Sequence, residues 1–452
     1  MKTKLSSKEI LLLASTLFGL FFGAGNLIFP VQLGQLAGAN LIPAIIGFLI
    51  TGIGLPLLAV AAMGLTNSRD VLEMARPVSK TYAKIFTILL YLCIGPFFAI
   101  PRLAMTSYEI GIVPFIQADQ YDLFLAIFSV LFFIGVWWFS QNPSKILDYV
   151  GKFLNPAFLL LLSILFILSI LNPMGDPMAT AVDTQYQSPL TKGFLEGYNT
   201  LDALAGLAFG ILVIAAVKQF GVTQPKHISR EVFKAGVLAT LMMGIIYSLL
   251  AYTGASSVAT IGLQENGGLG LGLISQHYFG HYGSILVSLI IFLACFKTSI
   301  GLVMACSESF HELFPAVSYK ALTVIISVIP TILANIGLSR FIQYTLPILM
   351  FIYPLTMTLI LLQFLKVLLD RHFPQIAFYW VTGLTLVAAT IDAVNALPDP
   401  FKKQPWAQTL IQLGKDYLPF FKFGMGWILP AMIGLIIAYI IAAFRPKSGR
   451  TA

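Results

Sequence analysis

The chain has 452 residues, of which 58% are hydrophobic and only 10% charged, with a mean hydropathy of +0.88. An ordinary soluble domain carries roughly 25% charged residues, so a water-soluble protein of this length could not hide so much apolar surface. The composition excludes a soluble enzyme, a disordered chain and a disulfide scaffold. The net charge of +8 has a source other than nucleic-acid binding, shown below.

Stretches apolar enough to cross about 30 Å of hydrocarbon predict twelve spans, near residues 8–37, 40–65, 82–110, 122–140, 152–171, 194–218, 232–258, 282–308, 319–337, 341–368, 375–396 and 425–444. The first is not a cleaved signal peptide, because its apolar run resumes after a glycine break. That break reads Phe22-Gly23-Ala24-Gly25-Asn26, closed by Pro30. Glycine costs about 1 kcal/mol against alanine in a helix and permits unwinding. Unpaired backbone groups at membrane depth are tolerated only where they are buried or line a polar cavity. An interrupted span is therefore a candidate site.

The third span carries Gly95-Pro-Phe-Phe and, beyond it, Arg102 and Glu109, seven apart on one helix face. These two read as an ion pair or a rim contact, with gating as the alternative. The sixth span holds a second small-residue run, Asp202-Ala203-Leu204-Ala205-Gly206-Leu207-Ala208-Phe209-Gly210. It reads equally as a break or as close packing through small residues. Asp202 reads as a helix-end cap or a proton carrier. The eighth span contains Cys295-Phe-Lys297-Thr298-Ser299. A mid-span lysine costs roughly 2.5–3.5 kcal/mol on the insertion scale and normally meets a cavity or a partner.

The loops add little chemistry. Gly267-Gly-Leu-Gly-Leu-Gly272 lacks the Lys-Ser/Thr of a phosphate loop and reads as a flexible or re-entrant loop. His277 and His281 have no acid or cysteine beside them in a zinc pattern. The outside stretch 396–424 allows a short surface helix near Trp406. Cys93, Cys295 and Cys306 lie in apolar stretches and read as packed side chains.

Counting bases by loop parity puts 19 of the 27 Lys and Arg on the side of both termini and six on the other, with Arg102 and Lys297 within spans. The positive-inside rule then places both termini in the cytoplasm. Spans one and six are five apart, so they run in opposite directions. This is the pattern of an inverted repeat, spans 1–5 against 6–10, whose discontinuous first helices meet at mid-membrane. The expected fold is an all-α integral membrane protein forming one polytopic domain over 1–452. Its first repeat is 8–171, its second 194–368, and two accessory helices follow at 375–444.

The residues then become familiar. Gly23-Ala-Gly-Asn-Leu-Ile-Phe-Pro30, Gly95-Pro-Phe-Phe-Ala-Ile-Pro-Arg102, Gly197-Tyr-Asn-Thr-Leu-Asp-Ala-Leu-Ala205, Ala208-Phe-Gly210 and Thr298-Ser-Ile-Gly301 resemble the bacterial branched-chain amino acid carriers of the BrnQ type. The resemblance runs from span one to about span twelve. It implies the LeuT-like inverted-repeat fold and cation symport of leucine, isoleucine and valine by alternating access, in the bacterial inner membrane among lipid. It assigns the substrate to Gly23, Ala24, Gly25 and Asn26, with Ala205, Gly206 and Phe209 opposite and Phe97 and Phe98 as further wall candidates. It maps a sodium site onto carbonyls of Gly19, Phe22 and Cys295 and hydroxyls of Thr298 and Ser299. A second sodium site fits less well, because Leu20 stands where a polar residue is expected.

Lys297 and Asp202 are the coupling candidates. The Lys297 amine either takes the cation's place, giving a proton-coupled or sodium-independent carrier of other apolar amino acids, or points away. No cofactor is expected beyond a sodium ion or proton, and no nucleotide or nucleic acid. A membrane enzyme would need a nucleophile–base pair or metal cluster, and neither His-Glu-x-x-His nor Gly-x-Ser-x-Gly occurs. A channel is the remaining class, and saturable exchange of substrate separates it from a carrier.

Overall fold

A computed structural model describes residues 2–66, 68, 70–179, 182–198, 200 and 202–444, with backbone alone for 338–340, 342 and 371. Arg69, Arg445, Lys447 and Arg450 of the base count, and Asn199 and Leu201 of the sixth-span motif, lie outside the described residues. The described residues are helical, without a strand.

The principal helices are α1 (Ser7–Phe21), α2 (Gly25–Ala37), α3 (Leu41–Gly52), α4 (Gly54–Leu65), α5 (Lys80–Ile94), α6 (Ala99–Gly111), α7 (Tyr121–Ser140), α8 (Asn155–Leu171) and α9 (Pro189–Tyr198). They continue with α10 (Asp202–Gln219), α11 (Pro225–Ile261), α12 (Gly267–Phe279), α13 (His281–Leu313), α14 (Tyr319–Leu333), α15 (Leu338–Leu369), α16 (Ala377–Asn395), α17 (Pro405–Tyr417) and α18 (Ile428–Phe444). Among the described residues, ten helices are long and apolar enough to cross a membrane, and Ile428–Phe444 is a shorter apolar one. The first predicted span is not an uninterrupted helix, because it divides into α1 and α2.

The chain divides into two compact units, residues 1–64 with 94–338, and residues 65–93 with 339–452. In the first unit, two helix pairs come into backbone contact through glycine. A Cβ on Gly34 of α2 would lie 2.0 Å from the Ala251 carbonyl oxygen of α11, and one on Gly254 of α11 would lie 2.2 Å from the Val31 carbonyl oxygen. A Cβ on Gly47 of α3 would lie 2.1 Å from the Leu190 carbonyl oxygen of α9, and one on Gly193 would lie 1.9 Å from that of Ala44. So part of span one packs on span seven as part of span six packs on span two. That is the correspondence an inverted five-helix repeat requires.

A segment of π-helix, Leu147–Leu154, leads into α8 and packs against α1, where a Cβ on Gly151 would come to 2.2 Å of the Thr16 hydroxyl. Such segments recur at functional sites. At the opposite end of α1, Ser6 and Glu9 form a capping box, and the Leu5 N–H donates to buried Glu231.

Two expectations are corrected. The run Gly267–Gly272 is helical, opening α12, with the Asn266 side chain accepting from the Leu269 N–H. Its glycines serve contact, since a Cβ on Gly267 would lie 2.0 Å from the Ile28 carbonyl oxygen. In span six, Thr200 forms a turn between α9 and α10, and α10 runs unbroken through Ala205, Gly206 and Gly210. Those glycines pack helices: a Cβ on Gly206 would meet Ala59 at 2.9 Å, and one on Gly210 the Met63 sulfur at 2.2 Å. Small residues at a helix contact and at a helix break look alike in sequence.

In the second unit, α16 packs on α18 at Gly434 and on α17, where Val394, Ala407, Ile411 and Phe421 form a buried apolar cluster. The α17 helix is the expected surface helix at Trp406, which is exposed.

Candidate functional site

The site is built around the gap between α1 and α2. Phe22 leaves helical geometry at φ −79°, ψ 84°, and the Gly23 N–H turns to the Phe21 carbonyl and to Asn26 Oδ1, both within 3.1 Å. The chain re-enters a helix at Gly25. The Gly25 and Asn26 N–H groups, the first of α2, have no acceptor among the described residues. Free amides at a helix N-terminus present a positive dipole end suited to an anion.

Asn26 ties this gap to the one in span six. Its amide donates to Asp202 Oδ2 at 2.7 Å and to the Tyr247 hydroxyl at 2.5 Å, and Tyr247 donates to the same carboxylate oxygen at 3.2 Å. All three side chains are buried. Asp202 opens α10, where a carboxylate also meets the helix dipole favourably. Tyr247 of α11 escaped the sequence reading because a tyrosine in a span ordinarily signals an interface belt.

The remaining substrate candidates divide. Gly23, Ala24 and Asn26 are buried at the gap, and Gly25 is half-buried. Ala205 is half-buried one turn along α10, while Gly206 sits in the α4 contact rather than at a break. Phe209 is buried, its ring edge-on to Phe21 at 5.9 Å. Phe98 is buried, but Phe97 is 43% exposed and does not share that enclosure.

The proposed cation ligands come from α1 and α13. The Thr298 hydroxyl points at the Gly19 carbonyl across 3.5 Å, and Gly23 lies beside Thr298. The Ser299 hydroxyl is buried with no hydrogen-bond partner among the described residues. Cys295 and Phe22 are buried alongside, and the Cys295 thiol faces the Ala24 N–H. An orphaned hydroxyl beside a carbonyl–hydroxyl pair suits a small hard cation.

Lys297 is fully buried, so it does not snorkel, and it meets no carboxylate among the described residues. Its amine nitrogen Nζ donates to Asn155 Oδ1 at 3.3 Å and lies 4.1 Å from the centre of the Phe158 ring, 5.1 Å from Phe18 and 5.7 Å from Phe22. Asn155 in turn donates to Ser15 at 3.0 Å, and Ser15 to the Gly151 carbonyl at 3.1 Å. Aromatic faces stabilise a desolvated cation by about 2 kcal/mol or more. The cage joins α1, α8 and α13. It was not legible in sequence, because Phe18, Phe22 and Phe158 read there as ordinary apolar residues.

The family described as branched-chain amino acid transport protein matches residues 6–445. This chain belongs to that family. Its relatives include the branched-chain amino acid permease BrnQ of Lactobacillus delbrueckii subsp. lactis, 45% identical over 99% of this chain and 100% of its own length. BrnQ of Bacillus subtilis is 41% identical over 99% and 100%, and BrnQ of Escherichia coli is 34% identical over 97% of each. Among solved structures, the nucleobase-cation-symport-1 family transporter Mhp1, with bromovinylhydantoin bound, superposes with a TM-score of 0.54 at 12% identity, covering 96% of this chain and 92% of its own. MhsT in complex with L-phenylalanine gives 0.52 at 16% identity, covering 98% and 100%. At such identities these likenesses show the fold alone. This chain thus has the LeuT-like fold and is a multi-pass membrane protein.

Proposed function

We propose that this permease imports leucine, isoleucine and valine with a coupling cation, by alternating access, across the bacterial inner membrane with both termini cytoplasmic. The observation that carries the reading is the Asn26 joint, which links the interruptions of spans one and six through Asp202 and Tyr247. Two helix interruptions joined at one buried polar contact are what a carrier needs to change both half-helices together. In this reading the free N–H groups of Gly25 and Asn26 take the substrate carboxylate. Ala205, Phe209 and Phe98 contribute apolar wall, and burying a branched side chain contributes about 1.5–3 kcal/mol.

Sodium is the favoured ion, held by Gly19, Thr298 and Ser299 with the Phe22 and Cys295 carbonyls. A second reading has its own support, because the caged Lys297 amine, which gains a positive charge whenever it is protonated, lies at the seam of α1 and α13. There Lys297 replaces sodium and coupling is to protons.

Labelled isoleucine uptake into proteoliposomes, with and without an inward sodium gradient at fixed pH, separates the two. Saturable uptake accelerated by sodium, and kept by Lys297→Met, is the expected result. Saturable uptake indifferent to sodium, and lost in Lys297→Met, establishes the second reading. No saturable uptake of any branched-chain amino acid overturns both.

A further inference from the structure

The sequence suggests an ion pair between Arg102 and Glu109, and the structure does not contain it. Glu109 accepts instead from the Tyr121 hydroxyl. Seven residues of α-helix separate the two Cα atoms by about 10 Å along the axis, and each side chain has gone its own way. No acid lies within ion-pair distance of Arg102 among the described residues. Its guanidinium has the Phe98 ring beneath it at 5.6 Å.

Three features make this arginine unusual. It lies in the first turns of α6, where the helix dipole is positive and a second positive charge is disfavoured. It is half-buried, with Pro101 before it buried and Leu103 after it half-buried, so it is not sealed in the packed core. The next residue, Leu103, abuts the helix gap: a Cβ on Gly23 would come to 3.2 Å of Leu103 Cδ2. An intramembrane arginine ordinarily has a counter-charge or faces a cavity that supplies one. The acid at the gap, Asp202, is occupied by Asn26 and Tyr247.

We propose that Arg102 receives the carboxylate of the transported amino acid, completing with the Gly25 and Asn26 N–H groups a three-donor cradle. The inference rests on the amino-acid uptake proposed above. It makes Arg102 the residue that demands an α-carboxylate, whereas the apolar wall selects the side chain. A guanidinium suits the task because its forked donors match a carboxylate and it stays charged in a partly desolvated site.

The test compares leucine with leucinol, which keeps the ammonium and the isobutyl group but lacks the carboxylate. Both are measured as competitors of labelled leucine binding to the purified protein. Arg102→Gln is expected to weaken leucine by roughly thirtyfold or more, the loss typical when one partner of a buried charge pair is truncated. Leucinol, weak against the parent, should be unchanged, and Arg102→Lys should recover part of the leucine affinity. Unchanged leucine affinity in Arg102→Gln overturns the proposal. So does an equal loss for leucine and leucinol, which marks a structural role. If the parent itself fails to bind leucine, the uptake reading has failed rather than this one.

Discussion

At the scale of single residues, the interior is organised by polar side chains each held by a specific neighbour. Asn26 is the most heavily used: its oxygen accepts from Gly23 and its nitrogen serves both Asp202 and Tyr247. Asn26→Ala leaves a buried carboxylate short of a donor, and such a loss costs about 1–3 kcal/mol. Asn26→Asp should be worse at neutral pH, because it sets two carboxylates where a donor and acceptor stood 2.7 Å apart. Like charges that close favour sharing a proton, so acidification should narrow the gap between the two variants. Thermal unfolding of the purified protein followed from pH 8 to pH 5 checks this, and a gap that widens on acidification contradicts it. The sequence pointed to Asn26 and Asp202 separately. Their meeting, and the part of Tyr247, depend on residues 176 and 221 positions apart in the chain.

At the scale of helices, glycine does two jobs that sequence does not separate. At Gly23 the chain leaves a helix, whereas at Gly34, Gly47, Gly193 and Gly254 an intact helix touches a neighbour's backbone. Gly193→Val would drive a side chain into the Ala44 carbonyl, a rigid neighbour, and should abolish accumulation of folded protein in the membrane. Gly272→Ala on α12 meets nothing within 4 Å and should be neutral or stabilising by up to about 1 kcal/mol, since alanine is the better helix former. Fluorescence-detected size-exclusion chromatography after a heat step measures both. Equal behaviour of the two variants would show that the glycine contacts do not decide packing.

At the scale of the molecule, the surface is inverted relative to a soluble protein. Leu131, Leu160 and Leu171 are each 64–69% exposed within long helices, while Asn26, Asp202 and Lys297 lie inside. Lipid takes the apolar faces, and it leaves polar groups to satisfy one another internally. Leu131→Arg should therefore reduce membrane insertion, at a cost of about 2.5–3.5 kcal/mol near a span centre, whereas Leu131→Val should not. Glycosylation or protease mapping of the inserted fraction reads the difference, and equal insertion of both variants would place that face away from lipid.

The sequence by itself determined the membrane class, the helical architecture, the opposed orientation of spans one and six and the interruption at Gly23–Asn26. These are local or additive properties: hydropathy, parity and glycine spacing are read along the chain without knowing what touches what. Tertiary structure alone decided that span six breaks before Asp202 rather than at its glycines. It also decided that Lys297 enters an aromatic cage, that Phe97 and Phe98 part company, and that Arg102 meets no acid among the described residues. Each of these depends on which face of one helix meets another, and that choice is made by packing between segments far apart in sequence.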